Sequence, residues 1–414
     1  MDKLWQWIPL FTTGFLISRI FARTGLAERL LNYLLKRSGG RFPLLLLAIV
    51  GAATFLSFFI PNMLTVLTLL AVIEKLRNKL EEISIKGANR LITPLGLALI
   101  YGANIGGMGS MVGSPANALM LFWLSYLKVP GREHIDFLSW LMWGVPLAVI
   151  FALLAWGLLV LFLVPRHLYH LRISLDEPQI TKMQNHSKWG GRIAFLSAFF
   201  WINISLLLSL FPKWLLFWNA LAVSFGVLFV LYVFFWKLGE GKEKKRPLLK
   251  WEDCYQGLPW RGVFIALSAG LLGTLFIWMK IPQWLAMHLQ DILPEQMPIF
   301  IFYLIFSIIT IFATELISNT AVSVALFPIA FELANKLHYH PLPVMMLVAL
   351  ASTCAFMSPL ATPATGLAFG GMKGLSLKRM LSLGIIVNLI GGLWITWFLT
   401  NILPRFYHIS LLTQ

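Results

Sequence analysis

A chain of 414 residues of which 58% are hydrophobic and 12% charged, with a mean hydropathy of +0.79, excludes a soluble globular domain, since so few charges cannot cover its surface. The net charge of +16 would suit a nucleic-acid surface, but Lys and Arg gather in the connections between apolar segments, where they mark cytoplasmic loops, so no nucleic-acid partner is expected. Cys254 and Cys354 are the only cysteines, which excludes a disulfide framework and any cysteine-based metal spacing.

Trp5 to Leu35 reads as a span running into a basic amphipathic helix, with Arg19, Arg23, Arg29, Lys36, Arg37 and Arg41 at its cytoplasmic end. Pro43 to Ile60 is apolar, Pro61-Asn62 breaks it, and Met63 to Ile73 is apolar again before Glu74, Lys75, Arg77 and Lys79. Two short arms with charge at both outer ends predict a re-entrant hairpin rather than a crossing. A single long helix kinked at Pro61 is the alternative. Thr93 to Asn104 runs into Gly106, Gly107, Gly109 and Gly113, and helix resumes after Ser114-Pro115-Ala116-Asn117. Glycines at this density predict a broken helix whose backbone is open to a ligand, although Gly106, Gly107 and Gly109 would also serve close helix packing alone. Trp140 to Val164, Ile193 to Phe211, Trp214 to Trp236, Val263 to Met279 and Leu381 to Leu399 are long enough to cross a bilayer.

The second half repeats the hairpin logic. Pro298 to Glu315 and Val322 to Leu333 are apolar arms joined through Ser318-Asn319-Thr320, and Pro343 to Pro363 is a second interrupted segment, Ser352-Thr353-Cys354-Ala355-Phe356-Met357-Ser358-Pro359-Leu360-Ala361-Thr362-Pro363. Polar groups at that depth are costly unless they line a cavity, so these stretches read as a site. Ser318-Asn319-Thr320 also suits the N-cap of a helix beginning at Ala321, and Glu315 reads as a partner for backbone N–H groups more than as a proton carrier. When the halves are laid over one another, Asn62 falls opposite Asn319, and Gly113-Ser114-Pro115-Ala116-Asn117 opposite Ala361-Thr362-Pro363-Ala364-Thr365. Paired interrupted segments at corresponding positions point to a secondary transporter with its site at the repeat interface. The expected fold is an all-α polytopic membrane protein built from inverted repeats, each with a re-entrant hairpin and a broken helix, with about eight full crossings.

These motifs resemble the divalent anion:sodium symporters of the ion transporter superfamily, which carry di- and tricarboxylates or sulfate. Thr314-Glu315-Leu316-Ile317-Ser318-Asn319-Thr320-Ala321 is similar to that family's second Ser-Asn-Thr hairpin tip, and Ser352 to Pro363 to its second broken-helix loop. The resemblance implies Na⁺ as coupling ion, one site formed by Ser57, Asn62 and Gly113 and a second by Thr314, Asn319 and Ala361. It implies a small anion facing Asn62, Ser114, Pro115, Ser318, Asn319, Thr320, Thr362 and Pro363. Half-helix N-termini would meet the carboxylates, so no Arg or Lys is needed. Three departures stand out. Pro61-Asn62-Met63 replaces Ser-Asn-Thr at the first tip, removing two hydroxyls and one N–H, and Ala364-Thr365 stands where the family usually has Pro-Asn. The family normally carries two scaffold helices before the element that starts at Trp5, so either they are lost or the true start lies upstream.

The implied organisation is a scaffold helix over 1–41, a first transport-domain repeat over 42–165, a cytoplasmic loop over 166–192, scaffold helices over 193–296 and a second repeat over 297–414. The expected function is not enzymatic: secondary active transport of a small divalent anion, a dicarboxylate such as succinate or sulfate, coupled to Na⁺ by an elevator-type movement, in a homodimer in the lipid of the inner (plasma) membrane. A Na⁺-independent exchanger or proton-coupled carrier is the alternative, favoured by the hydroxyls missing at Pro61 and Met63. A transport-inactive binding relative and a membrane enzyme rank below it.

Overall fold

The computed structural model describes residues 4–82, 88–173, 184–238, 245–255 and 297–412, together with single positions between 271 and 288. Among these residues the chain is helical apart from a two-residue ribbon, Lys237–Leu238 against Arg246–Pro247. In chain order the helices are α1 Leu4–Thr24, α2 Leu26–Arg37, α3 Phe42–Ser57, α4 Asn62–Glu82, α5 Ile92–Gly106, α6 Pro115–Tyr126, α7 Phe137–Leu163, α8 Gln184–Leu210, α9 Leu215–Phe235, α10 Trp251–Tyr255, α11 Ile299–Leu316, α12 Asn319–Lys336, α13 Pro341–Ala351, α14 Pro363–Gly371, α15 Leu377–Asn401 and α16 Leu403–Tyr407.

Local chemistry sets the breaks. Gly25 takes φ +66, a left-handed conformation that ends α1 and lets α2 turn away to bury Ala27, Leu31 and Leu35 at helical spacing. Pro61, with no N–H to give, stands between α3 and α4. Pro115 and Pro363 occupy the first turns of α6 and α14 behind the capping side chains of Ser114 and Thr362, the arrangement that restarts a helix after an irregular loop. Each predicted interruption is therefore present, at Gly107–Ser114 and at Ser352–Thr362. The apolar windows sit inside the helices but do not mark their starts. α8 begins at Gln184, ahead of the apolar run, because a helix can extend past the apolar region on polar residues.

Five helical stretches among the described residues are long and apolar enough to cross a membrane: Phe137–Leu163, Lys188–Leu210, Pro212–Phe235, Ile299–Leu316 and Leu377–Tyr407. Ile299–Leu316 qualifies by length and composition, yet it is the first arm of the second hairpin, since α12 begins only three residues after it ends. α3 has 16 residues, about 24 Å of helix, short of the roughly 30 Å of a hydrocarbon core. The predicted span Val263 to Met279 lies largely outside the described residues.

Packing divides into two cores. A small one joins Leu16, Ile17 and Ile20 of α1 to Ile193 of α8 and Phe229 and Val233 of α9. The large one runs through α2 to α7 and α11 to α16 and takes in Trp7 and Leu10 of α1, Trp201 and Ile204 of α8 and Ala222 of α9. Within it the halves exchange arms: α4 packs against α14, and α12 against α6, so the second arm of each hairpin rests on the resumed helix of the other half. α5 and α13 have every residue buried. α5 crosses α3 at Gly102 and Gly106, where a Cβ would lie 2.6 Å from the Val50 carbonyl oxygen and 2.4 Å from that of Thr54. This small-residue stripe allows backbones to meet where a hydrophobic driving force between helices is lacking.

Gly106→Ala is expected to destabilise the protein by about 1–3 kcal/mol through overpacking, and Gly51→Ala, at a position with open space around it, to be neutral or slightly stabilising through better helix propensity. Thermal unfolding of the detergent-solubilised protein checks the pair, and equal melting temperatures for the two variants would contradict the close crossing.

Candidate functional site

In the first half, the hairpin tip and the broken-helix loop are laced together. The Asn62 N–H donates to the Gly113 carbonyl at 3.2 Å, the Met63 N–H to Asn62 Oδ1 at 2.9 Å, and the Leu64 and Thr65 N–H groups to the Pro61 carbonyl at 2.8 and 3.1 Å. The N-terminal donors of α4, which a helix start normally leaves free, are all used within the protein. The Ser57 hydroxyl donates to Thr65 Oγ1 at 3.0 Å, and a Cβ on Gly113 would lie 2.5 Å from the Ser57 carbonyl oxygen. Ser57, Asn62 and Gly113 are thus brought together. Asn117 closes the loop by donating from Nδ2 to Gly107 O at 2.9 Å and Ser110 O at 2.8 Å, and the Ser110 hydroxyl donates to the Phe58 carbonyl.

The second half is built differently. Glu315, at the end of α11, accepts the N–H groups of Phe356 and Met357 on Oε1 at 2.7 and 2.8 Å and that of Ser358 on Oε2 at 2.7 Å. Asn388 of α15 donates its amide to Oε1 at 2.7 Å. Donors alone surround this buried carboxylate, which is the set an anionic acceptor takes. The expectation that Glu315 partners backbone N–H groups is met, and the groups belong to the second broken-helix loop. Phe356 at the loop apex packs edge-to-face on Tyr101 and Phe151, with ring centroids 5.0 and 5.8 Å away. Thr362 and Thr365 form a reciprocal capping box at the start of α14, and the Thr365 hydroxyl also reaches the Pro359 carbonyl at 3.3 Å. Thr365 therefore laces its loop from the position where Asn117 laces the first, with a shorter reach.

α12 starts at Asn319, two residues before the expected Ala321, with Ser318 as N-cap but no side-chain cap bond. Among the described residues, the main-chain N–H groups of Asn319, Thr320 and Ala321 have no acceptor, and buried Asn319 Oδ1 has no donor. Thr314 and Ala361 are fully buried, and the Thr314 hydroxyl turns back to the Ile311 carbonyl at 2.7 Å. An unpaired buried amide oxygen is chemistry that suits a hard cation, and a row of free N–H groups at a helix start suits an anion. Of the second set, Asn319 Oδ1 is the free acceptor that the ion implied by the resemblance would take.

Two residues went unnoticed in the sequence. Asn104, fully buried in α5, accepts from Asn62 Nδ2 at 3.0 Å and donates to the Ala355 carbonyl at 2.8 Å, joining the first tip to the second loop. Asn388 anchors Glu315. Both were detectable as lone carboxamides in apolar helices, a cost that demands a partner. The first half has no acid in the place of Glu315. There, Trp140 of α7 donates to the Met108 carbonyl at 3.0 Å.

Glu315→Gln is expected to destabilise the protein by about 3 kcal/mol or more, because each hydrogen bond to a charged group is worth roughly 1.5–3 kcal/mol and a buried donor left unpaired costs more. Asn388→Leu should cost less, about 1–3 kcal/mol. Thermal unfolding of the two variants side by side provides the check, and a Gln variant as stable as the parent would remove Glu315 as the loop's anchor.

Comparison with known proteins places the chain in a family. Residues 4–351 match the model of a family described as citrate transporter. The sodium-dependent dicarboxylate transporter SdcS of Staphylococcus saprophyticus is 30% identical over 397 residues, covering 92% of this chain and 74% of that protein. SdcS of Staphylococcus aureus strain MRSA252 is 30% identical over 411 residues, covering 96% of this chain and 76% of that protein. Among solved structures, the crystal structure of the Alcanivorax borkumensis YdaH transporter has the same fold with a TM-score of 0.57, at 13% identity, over 94% of this chain and 84% of that one.

Proposed function

From the premise that this chain belongs to the citrate transporter family, and is a membrane transporter rather than an enzyme, we propose that it moves a small dicarboxylate by coupling it to Na⁺, gripping both ions mainly in its second half. The observation that carries this is the start of α12, where three main-chain N–H groups and Asn319 Oδ1 have no protein partner among the described residues, against the start of α4, where the corresponding donors are all used. The anion takes Ser318, Asn319, Thr320, Thr362 and Pro363 as its main contacts, with Asn62, Ser114 and Pro115 completing the pocket. The cation takes Thr314, Asn319 and Ala361. Ser57, Asn62 and Gly113 form a weaker first cation set, because an N–H group already points at Asn62 Oδ1 and another at the Gly113 carbonyl, and these positive dipole ends oppose a cation on the same oxygens.

Sodium rather than proton coupling is supported by Glu315, whose oxygens are held by donors from Phe356, Met357, Ser358 and Asn388. A proton there would displace the loop it anchors. Equivalent hairpins and broken helices that enter the membrane from opposite faces, moving together as an elevator against the small core of α1, α8 and α9, complete the proposal. Outward-facing Phe195, Leu196, Leu228 and Leu231 on α8 and α9 supply the surface that lipid or a second copy of the chain would cover.

Uptake of succinate into proteoliposomes should require an inward Na⁺ gradient, and gradient-independent uptake would sink the coupling. Asn319→Ala is expected to abolish Na⁺-dependent uptake while Asn62→Ala leaves a measurable part of it. Equal losses would mean that the two halves share the load. Restoring the first tip with Pro61→Ser and Met63→Thr should tighten succinate binding by at most about 1.5–3 kcal/mol per recovered hydrogen bond, less after desolvation, as read by calorimetric titration. An unchanged or weaker dissociation constant would show that Pro61 and Met63 fit a different substrate.

A further inference from the structure

We propose that Asn104 is the positioning residue through which cation binding in the second half sets the first tip for the anion. This rests on the cation at Thr314, Asn319 and Ala361 and on the anion between the tips. The carboxamide lies in a helix with every residue buried, where an aliphatic side chain would pack at no polar cost. Both its ends are used, and each end touches a different half of the molecule.

Its orientation is determined by its neighbours. The Ala355 carbonyl can only accept, so Asn104 must turn Nδ2 to it at 2.8 Å and Oδ1 to Asn62 at 3.0 Å. Asn62 must then offer Nδ2 to Asn104, which turns its Oδ1 to the Met63 N–H at 2.9 Å. The Asn62 amide, assigned to the anion in the proposed function, is thus held from both sides, by the Met63 N–H within its own tip and through Asn104 from the second half. On the other side, Ala355 is followed directly by Phe356, Met357 and Ser358, whose N–H groups Glu315 holds. The Ser358 carbonyl accepts from the Ala361 N–H at 3.3 Å, and Thr314 is the neighbour of Glu315 in α11. A shift of Ala361 or Thr314 toward a cation therefore reaches Asn62 through one pinned loop and two hydrogen bonds, a short path in which the side chains of Glu315, Asn104 and Asn62 are each held by hydrogen bonds.

Coupling through such a path has a signature distinct from a structural role. The purified full-length chain is titrated with succinate at low and at saturating Na⁺, with its own tryptophan fluorescence as the readout. In the parent, Na⁺ should tighten succinate binding by a factor within about 5- to 150-fold, the usual range for two coupled sites. In Asn104→Leu the tightening should fall to within about 2-fold, while the Na⁺ half-saturation measured without succinate stays near that of the parent. Asn104→Ser, whose hydroxyl is too short to span Asn62 and Ala355 together, should lose the coupling in the same way if the leucine variant does not fold. Asn62→Ala combined with Asn104→Leu should be no worse for succinate than the more damaging single change, because the two residues act as one unit.

Full Na⁺-dependent tightening in a folded Asn104 variant would overturn the proposal, as would losses that multiply in the double variant. A parent chain that binds succinate without any response to Na⁺ would overturn the functional reading instead. The Asn62 and Asn104 cycle on succinate affinity alone would still decide whether the two amides act together.

Discussion

The carboxylate of Glu315 is the constraint on which the second half of this protein depends. An irregular loop deep in an apolar core has main-chain N–H groups that water cannot reach, and each one left unpaired is costly. One buried acid gathers three of them, from Phe356, Met357 and Ser358, and is itself oriented by Asn388. With those donors satisfied, the loop can stay irregular between α13 and α14, while the first N–H groups of α12 have no acceptor among the described residues. The acid shapes the site without standing among the groups assigned to the ions.

The two halves solve the same problem with different chemistry. Where the second half uses an acid and an amide, the first uses Trp140 on the Met108 carbonyl, the Ser110 hydroxyl on the Phe58 carbonyl and Asn117 across the loop. The first tip is also closed upon itself, because the one Pro61 carbonyl accepts from both Leu64 and Thr65, Pro61 has no N–H, and Asn62 caps Met63. Loss of the hydroxyls at Pro61 and Met63 therefore has a structural counterpart: the donors that would face an anion are satisfied internally. Asn104 ties this closed tip to the open half, so the asymmetry does not leave the halves independent.

The exchange of arms between the halves explains why these pieces hold one geometry. α4 lies on α14 and α12 on α6, so neither broken helix can be displaced without moving a hairpin of the other half. Glycines at Gly102 and Gly106 let α5 approach α3 to backbone contact, and Phe356 wedges between Tyr101 and Phe151. Lacking a hydrophobic driving force between helices in lipid, the assembly relies on close packing and on these buried polar links.

Composition and the placement of Pro and Gly by themselves determined the class, most helical segments and both interrupted helices, because apolar length, Pro and Gly act locally, while at Pro61 they left a hairpin and a kinked helix both open. The pairing of Asn62 with Asn319, and of Ser114-Pro115 with Thr362-Pro363, was equally legible, since a repeat is a property of the string. Only the tertiary structure decided which donors are used and which are free. Pro61 and Met63 already set Ser57, Asn62 and Gly113 apart from Thr314, Asn319 and Ala361 in the sequence, but which groups are satisfied internally is known only from their hydrogen bonds. It also decided what Asn104 and Asn388 do, because a carboxamide in an apolar helix announces that it has a partner but not which one. The partners lie 251 residues away for Asn104 and 73 for Asn388, and no local rule of propensity or spacing reaches across such separations.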